Sequence, residues 1–176
     1  MIQSTRGYLA IAHHYGSRRA VRSGVLLIDH INQGLTILDR LGADDVVKEA
    51  FAVHPIFQAD DDLKENFQVA ADLNPMVILY AMEYRNCANA FLSHVIEKGP
   101  DAWGKESLHP KRPLHLSPLP PVNLMLVADK VQNRKDFELY HKGQHKRSDE
   151  LDFYFKLWLQ RLDVSEDRYQ ELIKGL

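Results

Sequence analysis

The chain has 176 residues, which is enough for a single domain, residues 1–176, with an apolar core of its own. Its apolar fraction of 45%, charged fraction of 26% and formal net charge of -2 are those of an ordinary soluble protein, so composition gives no argument for binding to DNA or to a membrane. The single Cys87 excludes an intrachain disulfide, and the lack of an export signal or a membrane-length apolar run predicts a cytoplasmic protein.

The first part of the chain carries helical patterns. Helices are predicted over residues 8–15 and 25–38, with a polar, basic loop over residues 17–24 between them. In the second helix, apolar residues recur at the spacing of one helix face. A third helix is predicted over residues 44–53. It is expected to end or kink there, because Pro55 disfavours a helical conformation in the residue before it.

A long helix and a proline-rich segment are predicted next. Asn74 and Pro75 form a helix start signal, with asparagine as the N-cap and proline at the first helical position. This helix can continue to about residue 97. Residues 99–121 hold six of the eight prolines, so a helix is improbable there and a functional loop or lid is expected.

The last part of the chain is predicted to be helical as well. A helix resumes near Val122 and fades by residue 141, and another covers residues 151–162. A short last helix opens at Ser165. No strand pattern or internal repeat stands out, so the sequence predicts an all-α fold in one domain.

Residues 126–137, Leu-Val-Ala-Asp-Lys-Val-Gln-Asn-Arg-Lys-Asp-Phe, place Asp129 and Asn133 one helical turn apart. Residues four apart lie on one helix face, so the two side chains can point into the same cavity. A carboxylate suits a hard metal ion and an amide suits a phosphate or a water, which indicates part of a nucleotide-phosphate site. The alternative is an amphipathic helix with an ordinary solvated acid.

Two stretches carry a family resemblance. Residues 12–30 are Ala-His-His-Tyr-Gly-Ser-Arg-Arg-Ala-Val-Arg-Ser-Gly-Val-Leu-Leu-Ile-Asp-His. They resemble the opening of the RelA/SpoT-type (p)ppGpp hydrolase domain, a branch of the metal-dependent HD phosphohydrolases. Residues 126–137 resemble the Leu-Ala-Asp-Lys-x-x-Asn-x-(Arg/Lys)-Asp motif of the same family. The distance from Arg18 to His30 is most similar to that in the small stand-alone hydrolases related to animal SpoT homologues.

The resemblance implies an all-helical, HD-like fold around one divalent metal ion, commonly manganese. The implied reaction cuts pyrophosphate from a nucleotide. Carried over by position, His30, His54 and Asp129 are the metal ligands. The alternative is that His30 and His54 are core histidines or are hydrogen-bonded to partners in the fold. Asn133 matches the polar residue beside the nucleotide and is a candidate catalytic residue.

Basic residues are candidate substrate contacts. The resemblance implies that Arg18 and Arg19 lie near the substrate, and Arg22 follows on the same loop. Arginine can bind a phosphate through two parallel hydrogen bonds. Arg85 on the long helix and Lys130 in the Asp-Lys motif are further candidates. The alternative for the loop arginines is simple solvation.

The second histidine lies in a segment that departs from the family. The family has His-Asp followed closely by Glu-Asp, whereas residues 54–60 are His-Pro-Ile-Phe-Gln-Ala-Asp. Pro55 replaces a metal-binding carboxylate, and Gln58 and the alanine after it replace the acids that activate water. Glutamine cannot accept a proton at neutral pH. Gln58, Asp60 and Asp61 complete the candidate catalytic set, with a solvated helix cap as the alternative for the acidic run.

Three functions are compatible with these features. The first is a divergent HD-type nucleotide phosphohydrolase, similar to (p)ppGpp hydrolases, with a bound divalent metal. The second is a catalytically inactive relative that binds a nucleotide or a protein partner. The third is a helical interaction module, in which Phe153, Phe155, Trp158 and Leu159 form the face of a homo-oligomer.

Overall fold

The structure is a computed structural model that describes residues 2–21 and 23–176, so Arg22 of the basic loop lies outside the described residues. The described helices, in chain order, are α1 (Arg6–Tyr15), α2 (Leu27–Arg40), α3 (Asp45–Gln58), α4 (Asp60–Glu65), α5 (Phe67–Ala71), α6 (Pro75–Ala90), α7 (Pro120–Tyr140), α8 (Ser148–Arg161) and α9 (Glu166–Ile173). Short 3-10 turns span Ile2–Ser4 and Ser93–Val95. Two strands, β1 (Ile96–Pro100) and β2 (Glu106–Pro110), pair in antiparallel orientation. The fold is mainly α, as predicted, with one hairpin added.

Several helices begin where the sequence places capping residues. The side chains of Asp44, Asn74 and Ser165 each accept a backbone N–H from the first turn of α3, α6 and α9. Pro75 and Pro120 lie in the first turn of α6 and α7, where the missing N–H leaves no helix hydrogen bond unmade. The predicted helix starts at Asp44, Asn74 and Ser165 are therefore confirmed, whereas α7 begins at Pro120, inside the segment where no helix is predicted.

The prediction that the chain has no strand is wrong for the residues after α6. This helix ends at Ala90, earlier than predicted, because Phe91 has φ -136° and ψ 80°, outside the helical region. β1 and β2 follow where the sequence predicts helix and loop. In their turn, Asp101 Oδ1 accepts the backbone N–H groups of Trp103 and Lys105 at 2.9 and 2.8 Å. The Trp103 side chain at this turn is 85% exposed.

Of the two outcomes expected at Pro55, a kink or a helix end, the helix end is wrong, because α3 continues through the proline to Gln58. A proline inside a helix has no N–H to donate to the carbonyl four residues earlier, here that of Phe51. The imidazole of His54 takes the place of that donor, with Nδ1 2.6 Å from the Phe51 oxygen. The carbonyl is therefore satisfied without a backbone donor.

Helix α3 is the centre of the fold and packs against α1, α2, α6 and α7. Its Phe51 ring approaches α2 at Gly34, where an added Cβ would lie 2.2 Å from the ring. The missing side chain at Gly34 thus allows α2 and α3 to pack closely. His30 of α2 and His54 of α3 contact the same ring, with centroid distances of 5.9 and 4.9 Å.

Helix α7 is buried along most of its length. Its Arg134 donates to the two carboxylate oxygens of Glu166 at 2.9 and 3.0 Å and to Glu138 at 2.9 Å. The guanidinium also lies 4.0 Å from the centroid of the Tyr169 ring. These contacts attach α9 to α7. Neither α7 nor any other described helix has the length and apolar character that crossing a bilayer requires.

Helix α8 packs inward, which corrects the predicted interaction face. Phe155, Trp158 and Leu159 are buried, and Phe153 is partly buried against the core. Phe155, Trp158 and Leu159 have the spacing of a core-facing stripe, and α7 packs against this helix. These four side chains therefore stabilise the domain itself.

Candidate metal centre

Three predicted ligands from three helices converge in the structure. His30 comes from α2, His54 from α3 and Asp129 from α7, and each offers a ligand atom within 4.8 Å of the other two. His30 Nε2 lies 3.5 Å from Asp129 Oδ1, and the two imidazole centroids are 5.5 Å apart. The packing of the three helices thus forms a compact group of two imidazoles and one carboxylate.

The hydrogen bonds around His30 determine which of its ring nitrogens carries the proton. An ionised Asp136 can only accept, so the Gln132 atom 2.8 Å from Asp136 Oδ2 is the amide nitrogen. The Gln132 oxygen therefore faces His30, whose Nδ1 donates to it at 2.6 Å. In the neutral ring, Nε2 then offers a lone pair toward Asp129.

His54 is oriented in the same manner by a backbone group. Its Nδ1 donates to the Phe51 carbonyl, which leaves Nε2 as the ligand atom. The side chain is buried, and this burial, together with the neighbouring His30, lowers the pKa of His54 to about 4. At neutral pH the imidazole is therefore uncharged and offers its lone pair.

Asp129 is buried and ionised. Burial by itself raises the pKa of this carboxyl, but the Lys130 ammonium beside it holds the pKa well below its usual range. Lys130 Nζ lies 2.7 Å from Oδ2, and the Asn133 amide donates to Oδ1 at 2.8 Å. The side chains of Asp129 and Asn133 thus line the same cavity and are hydrogen-bonded to each other.

Lys130, a predicted substrate contact, is the counter-ion of Asp129. Its side chain is 7% exposed, and Nζ lies 5.1 and 5.8 Å from the ring centroids of Trp158 and Tyr154. Burial alone lowers the pKa of Lys130, but the Asp129 carboxylate outweighs burial and raises it above the usual value. Lys130 therefore keeps its positive charge, which cancels the charge of Asp129.

The donor chemistry of this group fits a divalent cation. His30 Nε2 and Asp129 Oδ1 lie 3.5 Å apart, close enough for both atoms to bind one cation when Nε2 carries no proton. In both histidines the N–H of Nδ1 donates to a carbonyl-type oxygen, as the second ring nitrogen of a metal-ligating histidine usually does. Two imidazoles and one carboxylate suit a first-row divalent metal and leave coordination positions open.

His30, His54 and Asp129, called the ligand group below, line a cavity of about 570 Å³. The predicted site residues Arg18, Gln58 and Asn133 line the same cavity. Arg18 is held there by two backbone carbonyls at the end of α1, and the Gln58 amide is hydrogen-bonded to Asn89 of α6. The structure therefore brings these three residues together with the ligands.

Four other predicted site residues do not line this cavity. Arg19 donates to a backbone carbonyl of its own loop. Arg85 forms an ion pair with Asp60, and Asp61 is 92% exposed. The acids lie apart from the ligands because Ala59, with φ -104° and ψ 158°, breaks the helix between α3 and α4.

The cavity also contains residues that the sequence did not single out. Gln132 and Asp136 orient His30, and Tyr84 lies beside Asp129, where burial and then that carboxylate raise the pKa of Tyr84. From the acidic run, it is Asp62 that lines the cavity. The run of three acids was the available signal, but it did not show which acid turns inward.

Comparisons of this chain with models of protein families, with curated proteins and with solved structures found no match. A helical fold by itself does not specify a function, so function must follow from the chemistry of the site. Here that chemistry consists of two imidazoles, one buried carboxylate and a cavity lined by polar and apolar residues.

Proposed function

We propose that this protein is a metal-dependent phosphohydrolase of the HD type, similar to the (p)ppGpp hydrolases, with a nucleotide as its substrate. The observation that carries the proposal is the convergence of His30, His54 and Asp129 from three helices. These are the residues that the family resemblance implies as ligands of one divalent ion, and manganese is the ion expected.

A divalent ion at this group would act as a Lewis acid that polarises a phosphoryl oxygen and makes water more acidic. The chain's own residues hold the surrounding charge and geometry. Asn133 fixes the Asp129 carboxylate through its amide N–H, and Lys130 neutralises that carboxylate. Arg18 supplies a positive charge in the cavity for a phosphate.

The residues that line the cavity support a nucleotide as the substrate. Val25, Leu26 and Leu27 around the start of α2, with Leu92 after α6, form an apolar wall. Two cations, Arg18 and Lys130, and three acids, Asp62, Asp129 and Asp136, give the rest of the lining its charge. An apolar wall with a few placed polar groups suits a substrate with a phosphate and a flat, weakly polar base.

One experiment measures metal content and turnover in the same preparations. Wild-type protein, Asp129→Ala and His13→Ala are loaded with manganese and their metal is counted by elemental analysis. His13 is exposed and does not line the cavity, so it is the matched control. We expect a stoichiometric ion in the wild type and in His13→Ala, and none in Asp129→Ala.

The same preparations are then assayed for phosphate and pyrophosphate release from (p)ppGpp, dNTP and NTP panels with manganese, cobalt or zinc. Release is expected from the wild type and His13→Ala only. Equal metal content in all three proteins contradicts the assignment of the ligands. No release across the whole panel contradicts the proposed hydrolysis.

A second candidate function, nucleotide binding without turnover, is favoured by Gln58. This residue replaces a water-activating acid of the resembled family, and its amide is already hydrogen-bonded to Asn89. Calorimetry with a nucleotide and the metal-free protein separates the two functions. Saturable binding without phosphate release favours the binder, and the absence of binding removes it.

A further inference from the structure

A second polar group in the cavity is formed by His14 and Asp62. His14 comes from the last turn of α1 and Asp62 from α4, and both line the cavity that contains the ligand group. His14 Nε2 lies 4.0 Å from Asp62 Oδ1. Their side chains are 18% and 40% exposed, against 21% for His30 and 5% for Asp129, so Asp62 is more exposed than either of these ligands.

Hydrolysis requires a group that accepts a proton from water, and Gln58 cannot do so. Among the described cavity residues outside the ligand group, the two tyrosines hold their protons at neutral pH. Burial raises the pKa of Tyr15 to about 12 and raises the pKa of Tyr84 well above its usual value. Lys130 and Arg18 are cations and offer no acceptor.

Two acids then remain in the described cavity lining besides the ligand Asp129. Asp136 is engaged at both oxygens, with Lys135 Nζ at 2.8 Å and the Gln132 amide at 2.8 Å. The Asp62 carboxylate instead faces the imidazole of His14 across a gap that one water or a small closure would fill. Asp62 is therefore the acid best placed to take a proton.

We infer that Asp62 is the general base of the proposed phosphohydrolase and that His14 shares the proton it accepts; this inference rests on the proposed function. In the reaction, a water oxygen bonds to phosphorus while the bond from phosphorus to the leaving oxygen breaks. One proton of that water passes to the Asp62–His14 pair. The same proton then returns to the leaving oxygen, so the pair is regenerated and no other reactant is consumed.

The test compares Asp62→Ala with Glu65→Ala, which removes an exposed acid of the same helix that does not line the cavity. We expect Asp62→Ala to lower kcat by about 100-fold or more. KM and the manganese affinity measured by calorimetry are expected to stay at the wild-type level, because Asp62 binds neither the metal nor the phosphate. Glu65→Ala is expected to match the wild type throughout.

Chemical rescue distinguishes a proton acceptor from a structural residue. Formate is expected to restore part of the kcat of Asp62→Ala, and imidazole part of the kcat of His14→Ala, with no effect on Glu65→Ala. If Asp62→Ala does not fold, Asp62→Asn replaces it, with wild-type manganese affinity as the proof of folding and the same loss of kcat expected.

The outcomes separate this inference from the proposed function. Turnover that persists in the Asp62 variants, or a loss of turnover that formate does not restore in Asp62→Ala, overturns the assignment of the base and leaves the phosphohydrolase standing. A wild-type protein without turnover overturns both.

Discussion

At the scale of single residues, Pro55 has two opposite effects on the site. It removes a carboxylate that the resembled family uses as a ligand, so the protein offers three donors in place of four. It also frees the Phe51 carbonyl, which then fixes the tautomer and the direction of His54. The proline therefore lowers the number of candidate ligands while it orders one of those that remain.

His54 makes the stability of the metal-free protein depend on pH. Its pKa is about 4 in the folded chain, below the value of 6.5 expected when it is unfolded, so the unfolded chain binds the proton more readily. The stabilisation that depends on a neutral His54 is present above pH 6.5 and is lost as pH falls toward 4, by about 3 kcal/mol. Denaturant unfolding near neutral pH and near pH 4 is expected to show a smaller loss in His54→Gln.

The control for this prediction is His13→Gln, because His13 is exposed. It is expected to keep the wild-type dependence of the unfolding free energy on pH. If wild type and His54→Gln lose equal stability on acidification, His54 is not a buried neutral imidazole.

Lys130→Met tests the buried ion pair with Asp129. The substitution leaves a buried carboxylate without its counter-ion, and we expect the unfolding free energy to fall by about 3–5 kcal/mol in metal-free protein. Lys156→Met, which removes a half-exposed surface pair, is expected to cost about 1 kcal/mol or less. Adding Asp129→Asn to Lys130→Met should recover part of the loss. A Lys130→Met variant as stable as Lys156→Met would show that no uncompensated charge is buried there.

At the scale of elements, the contact of α2 with α3 sets the spacing of the two imidazoles. Gly34→Ala in an ordinary helix would be stabilising by about 1 kcal/mol. Here the new Cβ meets the Phe51 ring at 2.2 Å, so we expect a net loss of about 2 kcal/mol in unfolding free energy. Manganese affinity should also fall, because His30 and His54 both pack on that ring.

Thermal unfolding and calorimetry of Gly34→Ala, Phe51→Leu and the double variant measure this effect. Phe51→Leu makes room for the added methyl group, so the double variant should lose less than the sum of the two single losses. Strictly additive losses would contradict a direct clash between the two helices.

An element can be predicted from the sequence when a common local sequence pattern marks it. Helix starts at Asn74 and Ser165 could be predicted because a cap acts within one turn. The path through Pro55 could not, because it depends on a side-chain hydrogen bond that replaces a backbone donor. The hairpin could not either, because Ile96–Pro100 and Glu106–Pro110 contain prolines and a single β-branched residue, which is not the usual composition of a strand.

The candidate site could likewise be predicted only in part. The family resemblance could locate His30, His54 and Asp129, and the structure brings them together. The inward turn of Asp62 could not be predicted, because it depends on the break at Ala59, which resets the direction of the acidic run. If α3 and α4 formed one continuous helix, Asp61, seven residues after His54, would lie on the same helix face as His54.

At the scale of the whole molecule, α7 connects the site to the C-terminal end of the domain. It carries Asp129 on one side and Arg134 on another, and Arg134 holds α9. We expect Arg134→Met to lower the unfolding free energy by about 2 kcal/mol, because charged hydrogen bonds to Glu138 and Glu166 are lost. Manganese affinity should not change, since α9 provides none of the three ligands.

Arg168→Met is the control, because Arg168 is a half-exposed arginine of α9 that pairs with Glu171. It is expected to change the unfolding free energy by less than about 1 kcal/mol. Chemical denaturation and manganese calorimetry on both variants make the comparison. Equal destabilisation by the two substitutions would contradict the role given to Arg134.

The two tryptophans give this chain a built-in optical probe. Trp158 has no exposed surface and lies against the Lys130 ammonium, whereas Trp103 is 85% exposed at the hairpin turn. Their fluorescence should separate into a short-wavelength band protected from iodide and a long-wavelength band that iodide quenches. In Trp103→Phe, Trp158 is the one remaining tryptophan, and its ring lies beside Lys130, the counter-ion of Asp129. Changes of charge at Asp129 can therefore be followed through the fluorescence of Trp158 without any added label.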